Sequence, residues 1–480
     1  MTQSSMRFAI VVLLAFAGPA HAEVPRPVAR AFLDNGIPMT HVAIVVQEVG
    51  KPRPLFAFDP DRPMNPASVM KLVTTFAALE ILGPDYQWKT EAYAGGPIAD
   101  GTLHGDLILK GYGDPKITLE QWQSFIASLR DTGLTTIDGD LGLDRSSFQL
   151  PPHDPAAFDG EALRPYNVGP DALLVNFKSV RFIFAPNAAN EVELRMEPPL
   201  PAVAVGALPS PAFGECNDWR SGLAARFDDH PDRAAVSFPG RYPLGCDERD
   251  LWVSLLDHPH YVYQMFAAYF NEAGGHFTGG LQEKRVPRGA KLLATLESPP
   301  LYDIVRDVNK LSNNVMARQI FLSLALATTP PPATIDKATD TVKRWLARRK
   351  LSLPDLVLEN GSGLSRHERI TAGGLMRLLL AADQSRVRDE FASSLAVAAV
   401  DGTVQRRFQN GTVAGQALLK TGSLEGVRAL AGYVIDADGR RFALVAIIND
   451  PNAARGAPAL DALVQWVYRN GATWTPARQR

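Results

Sequence analysis

The sequence predicts an α+β protein of several domains, in which helices cover an antiparallel sheet built from both ends of the chain and a large β-rich stretch interrupts it. Three observations carry this prediction. Strand-like segments occupy residues 41–60 and 415–451, helix-period segments lie between them at 68–83 and 298–383, and residues 89–285 are short strand-like pieces among many prolines and glycines. At 480 residues the chain exceeds one small core and fits roughly two or three domains. A hydrophobic content of 46%, a charged content of 21% and a formal charge of −2 describe a globular protein without the basic excess that nucleic-acid binding requires.

Taken in order, the first element is an export signal. "MTQSSMRFAIVVLLAFAGPAHAEV" carries Arg7, an apolar run over 8–17, a Gly18-Pro19 break and small residues at Ala20 and Ala22, the spacing of a signal-peptidase site. Cleavage after Ala22 is expected. The run is about ten residues, short of the roughly 20 a spanning helix needs, so the mature protein reads as exported and soluble, with peripheral contact to a membrane surface left open.

Next, "HVAIVVQEVG" (41–50) and "PLFAFDP" (54–60) read as two strands joined at Gly50-Lys51-Pro52. "SVMKLVTTFAALEILG" (68–83) has helical spacing and stops at Gly83-Pro84, which puts Ser68 in the first turn of a buried helix. The middle stretch offers strands such as "GDLILKG" (105–111), "VRFIFAP" (180–186) and "EVELRME" (191–197). It also holds both cysteines, Cys216 and Cys246. They lack the spacing of a zinc site and would meet an oxidising compartment, which favours a disulfide over two thiols, contributing about 3 kcal/mol on the chain-entropy account. His258-Pro-His260 has no nearby cysteine and does not read as a metal pair. Helical periodicity returns at 298–326, 338–350 and 371–383. Strands follow at 415–423, 427–439 and 441–451, the last two joined through Asp438-Gly439, a two-residue hairpin signal. A helix at 458–471 closes the chain.

Chemistry concentrates in three short motifs. Ser68 is the only serine followed three residues later by a lysine, Lys71, and on a helix those side chains share a face. A serine hydroxyl becomes a nucleophile when a neighbouring base takes its proton, and a lysine can do so if burial or a nearby cation depresses its pKa. Lys420 and Thr421, late in a strand that turns at Gly422-Ser423, offer that cation and a hydroxyl for a substrate carboxylate. Gly422 would let a substrate backbone lie along the strand. Ser312-x-Asn314, within the helical stretch, supplies a second hydroxyl and an amide.

S-x-x-K, S-x-N and K-T-G in that order are the signature of penicillin-binding proteins and serine β-lactamases. "ENGSGLSRHERITA" (359–372), "AVAAVDGTVQRRF" (396–408) and "LLKTGSLEGVRALAGYV" (418–434) extend the match. With them the chain resembles the low-molecular-mass class C penicillin-binding proteins, the D-Ala-D-Ala carboxypeptidase/endopeptidase family also called peptidase family S13, over nearly its whole mature length. Roughly 240 residues separate Lys71 from Ser312, far more than in the β-lactamases, which fits the family's inserted β-rich domains.

The resemblance implies a β-lactamase/transpeptidase-like domain at 23–88 and 286–480, an inserted domain at 89–170 and 251–285, and a nested β-rich domain at 171–250. It implies that Ser68 forms an acyl-enzyme with Lys71 as general base, that Ser312 relays a proton, and that Asn314 binds the substrate amide. Lys420 and Thr421 would bind the terminal carboxylate, and the backbone N–H groups of Ser68 and Ser423 would form the oxyanion hole. Arg366 and Glu425 would hold the diaminopimelate side chain, although relatives more often carry an amide at the latter position. Tyr166, with Asp159 and Glu161, either faces the same pocket or belongs to a surface loop. The implied enzyme works in the periplasm on peptidoglycan peptides, is blocked covalently by β-lactams, needs neither cofactor nor metal, and has no assigned oligomeric state. The β-lactamase alternative is disfavoured by the insertion, and a non-catalytic wall-binding scaffold by the intact motifs.

Overall fold

The computed structural model describes residues 24–409, 411–471 and 473–474. The expected signal segment lies outside them. Among the described residues no helix is long and apolar enough to cross a membrane.

The central sheet has six antiparallel strands in the order Phe56–Phe58, Val42–Glu48, Arg441–Asn449, Val427–Ile435, Ala417–Leu424, Ala396–Val397. Its two best-covered strands pair in register from Val42 opposite Ile448 to Glu48 opposite Phe442. Both faces are buried, which is why residues 42–46 are an unbroken apolar run. Val42, Ile44 and Val46 point into one core with the helices Arg26–Asp34 and Ala457–Asn470, while Ala43 and Val45 point into the other with the helices Lys71–Ile81, Leu301–Lys310, Asn314–Thr328, Ile335–Arg348 and Ala372–Asp383.

Most of the buried apolar side chains between residues 92 and 294 form a core of their own, whereas Phe148 and Ala172 pack into the core that holds Ala43 and Val45. A five-stranded sheet there places Leu107–Gly111 between Lys89–Ala94 and Leu141–Asp144, with Leu281–Glu283 and Lys291–Glu297 at its edges. Val180–Pro186 pairs antiparallel with Val192–Glu197 and with Arg249–Val253. Cys216 and Cys246 are disulfide-bonded, and Cys246 is buried in this core near Trp219 and Tyr242.

Four local expectations change. The interrupting stretch also holds two long helices, Leu119–Asp131 and His258–Glu272; the first starts at a Thr118/Gln121 capping box and the second at Asp257, whose carboxylate accepts from His260 N–H. The hairpin at Gly439 is not a two-residue turn: its strands end at Ile435 and Arg441, because the Asp436 carboxylate accepts from the N–H groups of Asp438 and Arg440 and organises a longer loop. The strand bearing Lys420 runs on to Leu424 and turns at Glu425-Gly426, so Lys420 is mid-strand. The helical stretch 298–326 breaks at Leu311–Asn313, where Asn313 caps the second helix by accepting from Met316 N–H. Ser312 therefore lies between two helices, at φ +59°, and not inside one.

Candidate active site

The site forms where the turn before the helix Lys71–Ile81 meets the strand Ala417–Leu424. Residues Ala67–Met70 make a tight 3₁₀ turn that runs directly into the helix. Ala67 has φ +47°, and its N–H donates to the Asn65 carboxamide oxygen 2.9 Å away. Asn65 is held by reciprocal hydrogen bonds with Asn449 and by a bond from its own amide to the Ser365 carbonyl. This clamp ties the turn to the central sheet and to the loop 359–369.

Two glycines let the clamp close. A side chain at Gly363 would sit 2.0 Å from the Ala67 carbonyl oxygen, and one at Gly422 would sit 2.5 Å from the Pro66 carbonyl oxygen. The space beside Gly422 is thus filled by the serine's own turn, and the expectation that this glycine clears room for a substrate backbone gives way to close packing of protein on protein.

Ser68 stays partly exposed while Lys71 is fully buried. The Lys71 ammonium donates to Ser68 Oγ at 2.9 Å, to Asn314 Oδ1 at 2.6 Å and to the Ser362 carbonyl at 2.5 Å, which accounts for all three donors of a charged amine. Burial lowers its pKa well below the ordinary lysine value; the Lys420 charge lowers it further, opposed by the Glu368 carboxylate. Lys420, also fully buried, donates to Ser312 Oγ at 2.9 Å and to the Thr421 carbonyl at 2.9 Å, and burial brings its pKa down to about 7. Thr421 Oγ1 donates to Thr403 Oγ1 at 2.8 Å. Ser68, Lys71 and Asn314 therefore form one connected chain and Lys420 and Ser312 a second. The short Ser312–Asn314 segment joins them.

The remaining predicted residues divide. Arg366 reaches Glu425, Nη2 to Oε2 at 3.1 Å, and donates to its backbone carbonyl at 3.2 Å, beside the turn that follows Ser423. Tyr166 donates to Asp159 at 2.8 Å, and Glu161 pairs with Arg164 at 3.2 Å, so these groups close on one another within the loop 151–170. The ring from that loop that meets Arg366 is Phe158, 4.8 Å from the guanidinium, a residue that sequence reasoning passed over.

Sequence reasoning also missed Ser362, which acts through its backbone carbonyl, and Glu368. The latter is buried, and its Oε1 accepts from the N–H groups of Glu359, Asn360 and Gly361 at 3.0, 3.0 and 3.1 Å, shaping the loop that presents Ser362 to Lys71. Burial raises its pKa. A lone acidic residue inside "LSRHERIT" carries no local signal of this role.

The sequence model of the D-Ala-D-Ala carboxypeptidase 3 (S13) family matches residues 26–470. The chain is 26% identical over 420 residues to the D-alanyl-D-alanine carboxypeptidase DacB of Haemophilus influenzae, covering 85% of each. It is 28% identical over 433 residues to the D-alanyl-D-alanine carboxypeptidase of Actinomadura sp. (strain R39), covering 82% of this chain and 75% of that one. In fold it resembles the crystal structure of penicillin binding protein 4 from Haemophilus influenzae, with a TM-score of 0.76 at 24% identity over 92% of this chain and 99% of the other. A family match spanning nearly the whole described chain means that the protein belongs to the D-Ala-D-Ala carboxypeptidase 3 (S13) family.

Proposed function

We propose that the protein is an exported serine DD-peptidase that works in the periplasm on peptidoglycan stem peptides, as a D-Ala-D-Ala carboxypeptidase, a DD-endopeptidase or both. The observation that carries this reading is the fully buried Lys71 amine hydrogen-bonded at 2.9 Å to a partly exposed Ser68 hydroxyl, with the second buried ammonium of Lys420 near enough to depress it. A lowered pKa favours the neutral amine, and the neutral amine is a base.

In the proposed reaction Ser68 Oγ attacks the carbonyl carbon between two D-alanines as Lys71 Nζ takes its proton. The developing oxyanion is held by the N–H groups of Ser68 and Ser423, each worth about 3–4 kcal/mol in acyl transfer. Asn314 presents its Nδ2 to a substrate amide carbonyl, because its Oδ1 already accepts from Lys71. Lys420 and Thr421 bind the terminal carboxylate. As the tetrahedral intermediate collapses, Ser312 relays a proton to the leaving amine, and water then cleaves the acyl-enzyme. A β-lactam follows the same path as far as the acyl-enzyme and stays there. Arg366 and Glu425 would recognise the diaminopimelate side chain, the guanidinium its carboxylate and the carboxylate its ammonium.

The test uses the purified mature protein. Fluorescent penicillin should label it stoichiometrically and Ser68→Ala should remain unlabelled; mass analysis of cross-linked and uncross-linked muropeptides should show D-alanine release, cross-link cleavage or both. Labelling that persists in Ser68→Ala, or failure to turn over either substrate, would overturn the reading. Rapid loss of the penicilloyl group would point to a β-lactamase.

A further inference from the structure

The loop that brings Phe158 to Arg366 also walls a cavity of about 960 Å³, lined on its other sides by the strand Leu141–Asp144, the first turn of the helix His258–Glu272 and the segment 283–285. None of the three motifs contributes to it.

The polar groups lining this cavity are unequally satisfied. Each of its four carboxylates has donors of its own. Asp144 accepts from Ser146 N–H and Oγ and from Val286 N–H; Asp171 accepts from Arg145 Nε, 3.0 Å from both oxygens, and from Leu173 N–H. Glu283 accepts from Arg145 at 2.5 Å, and Asp257 from His260 N–H at 2.8 Å and its ring at 2.7 Å.

The basic groups are not matched in this way. Lys178 donates to the carbonyls of Leu255 and Leu256 and, among the described residues, has no carboxylate partner within ion-pair reach. His258 is half-buried in the cavity wall, and its ring has no hydrogen bond among the described residues. Burial takes its pKa down to about 4, so the ring is neutral at physiological pH with a donor and an acceptor both open. Arg285, at the exposed rim, has no ion pair or side-chain hydrogen bond among the described residues. Lys284, by contrast, is paired with Asp106 at 2.5 Å.

Unmatched donors facing matched acceptors call for an oxyanion, and the N-terminal end of a 15-residue helix adds its dipole in the same direction. The volume decides what carries that anion. A phosphate ion would leave most of the cavity unfilled, whereas the space suits a ligand of several residues, and Phe148, Leu150 and Pro152 give it apolar wall to lie against.

We propose that this cavity is a second binding site, separate from the serine site, which takes the carboxylate end of a short peptide between His258, Lys178 and Arg285. The proposal rests on the function given above only for the choice of probe.

The decisive experiment is calorimetric titration of the full mature protein, its serine first blocked by penicillin, with the tetrapeptide L-Ala-γ-D-Glu-meso-diaminopimelate-D-Ala. Saturable binding of one peptide is expected, absent when every carboxylate of the peptide is amidated and not displaced by equimolar inorganic phosphate. His258→Leu and Arg285→Glu should each weaken it about tenfold or more. Both variants should still acylate with fluorescent penicillin at the parental rate, which reports an intact fold. Lys178 is left unchanged because its amine ties two backbone carbonyls. No saturable binding, equal binding of the amidated peptide, full displacement by phosphate, or indifference to both substitutions would overturn the proposal. If penicillin forms no adduct, it is the serine-peptidase reading that fails, and the same titration on untreated protein, compared across the two variants, still decides the cavity.

Discussion

At the scale of single residues, the proposed reaction places opposite demands on the two buried lysines: in it Lys71 loses its proton to act as a base, while Lys420 keeps its proton to bind a carboxylate. The rate of penicillin acylation should rise with pH as Lys71 deprotonates and fall as pH passes about 7, where Lys420 loses its charge; a pH series of labelling rates measures both limbs. Lys420→Arg should lower the rate but flatten the alkaline limb, because a guanidinium does not titrate there. Lys71→Met should slow labelling at least about 100-fold. The same burial makes Lys420 a destabilising group. Its folded pKa lies below its unfolded value, so the unfolded chain holds the extra proton between about 7 and the ordinary lysine pKa, and stability falls as pH drops through that window. Lys420→Met should therefore raise the melting temperature by about 2–4 °C at pH 7, with the gain shrinking toward pH 10, while abolishing turnover. Glu368→Ala removes the shared acceptor of three N–H groups, that of Gly361 buried, and should cost about 2 kcal/mol or more together with much of the acylation rate, whereas Glu368→Gln keeps the acceptor and should retain most of both.

At the scale of elements, the site depends on close approach between pieces of backbone. The turn 65–70 is gripped between the strand Ala417–Leu424 and the loop 359–369, and in each of these a glycine leaves the room. Gly363→Ala or Gly422→Ala should displace Ser68 by a fraction of an ångström to an ångström and lower kcat/KM for penicillin acylation about 100-fold, with a smaller loss in melting temperature. Gly363 adds a backbone constraint, at φ +80°. The break between the helices Leu301–Lys310 and Asn314–Thr328 is a second such device. It turns Ser312 toward Lys420 and leaves Asn314 at the head of the next helix facing Lys71. Asn313→Ala removes the cap and should cost about 1 kcal/mol by denaturant melting.

At the scale of the whole molecule, two cores lie on the faces of the central sheet and a third belongs to residues 92–294. The disulfide lies in the third, away from the motif residues. Cys216→Ser with Cys246→Ser should therefore lower stability by about 3 kcal/mol on the chain-entropy account and leave the penicillin acylation rate unchanged, which thermal melting and labelling can measure side by side. The third core is not independent of the site. Arg318, on the helix that begins with Asn314, donates to the carbonyl of Val168 at 2.8 Å, and Gln319 on the same helix accepts from Asp171 N–H and donates to the Asp171 carbonyl. These bonds anchor the C-terminal end of the loop 151–170 to the helix that begins with Asn314.

By itself the sequence determined which side chains could do chemistry and on what kind of element most of them stand. Alternation and period are local properties of the chain, and S-x-x-K, S-x-N and K-T-G are each contained within a few residues. Only the tertiary structure decided that Lys71 has a backbone carbonyl at Ser362 as its third acceptor, that Gly422 makes room for Pro66, that Ser312 occupies a left-handed break, and that Phe158 rather than Tyr166 meets Arg366. Each of these is a contact between segments far apart in the chain or a backbone angle such packing imposes, and no local propensity encodes which distant neighbour fills a given space.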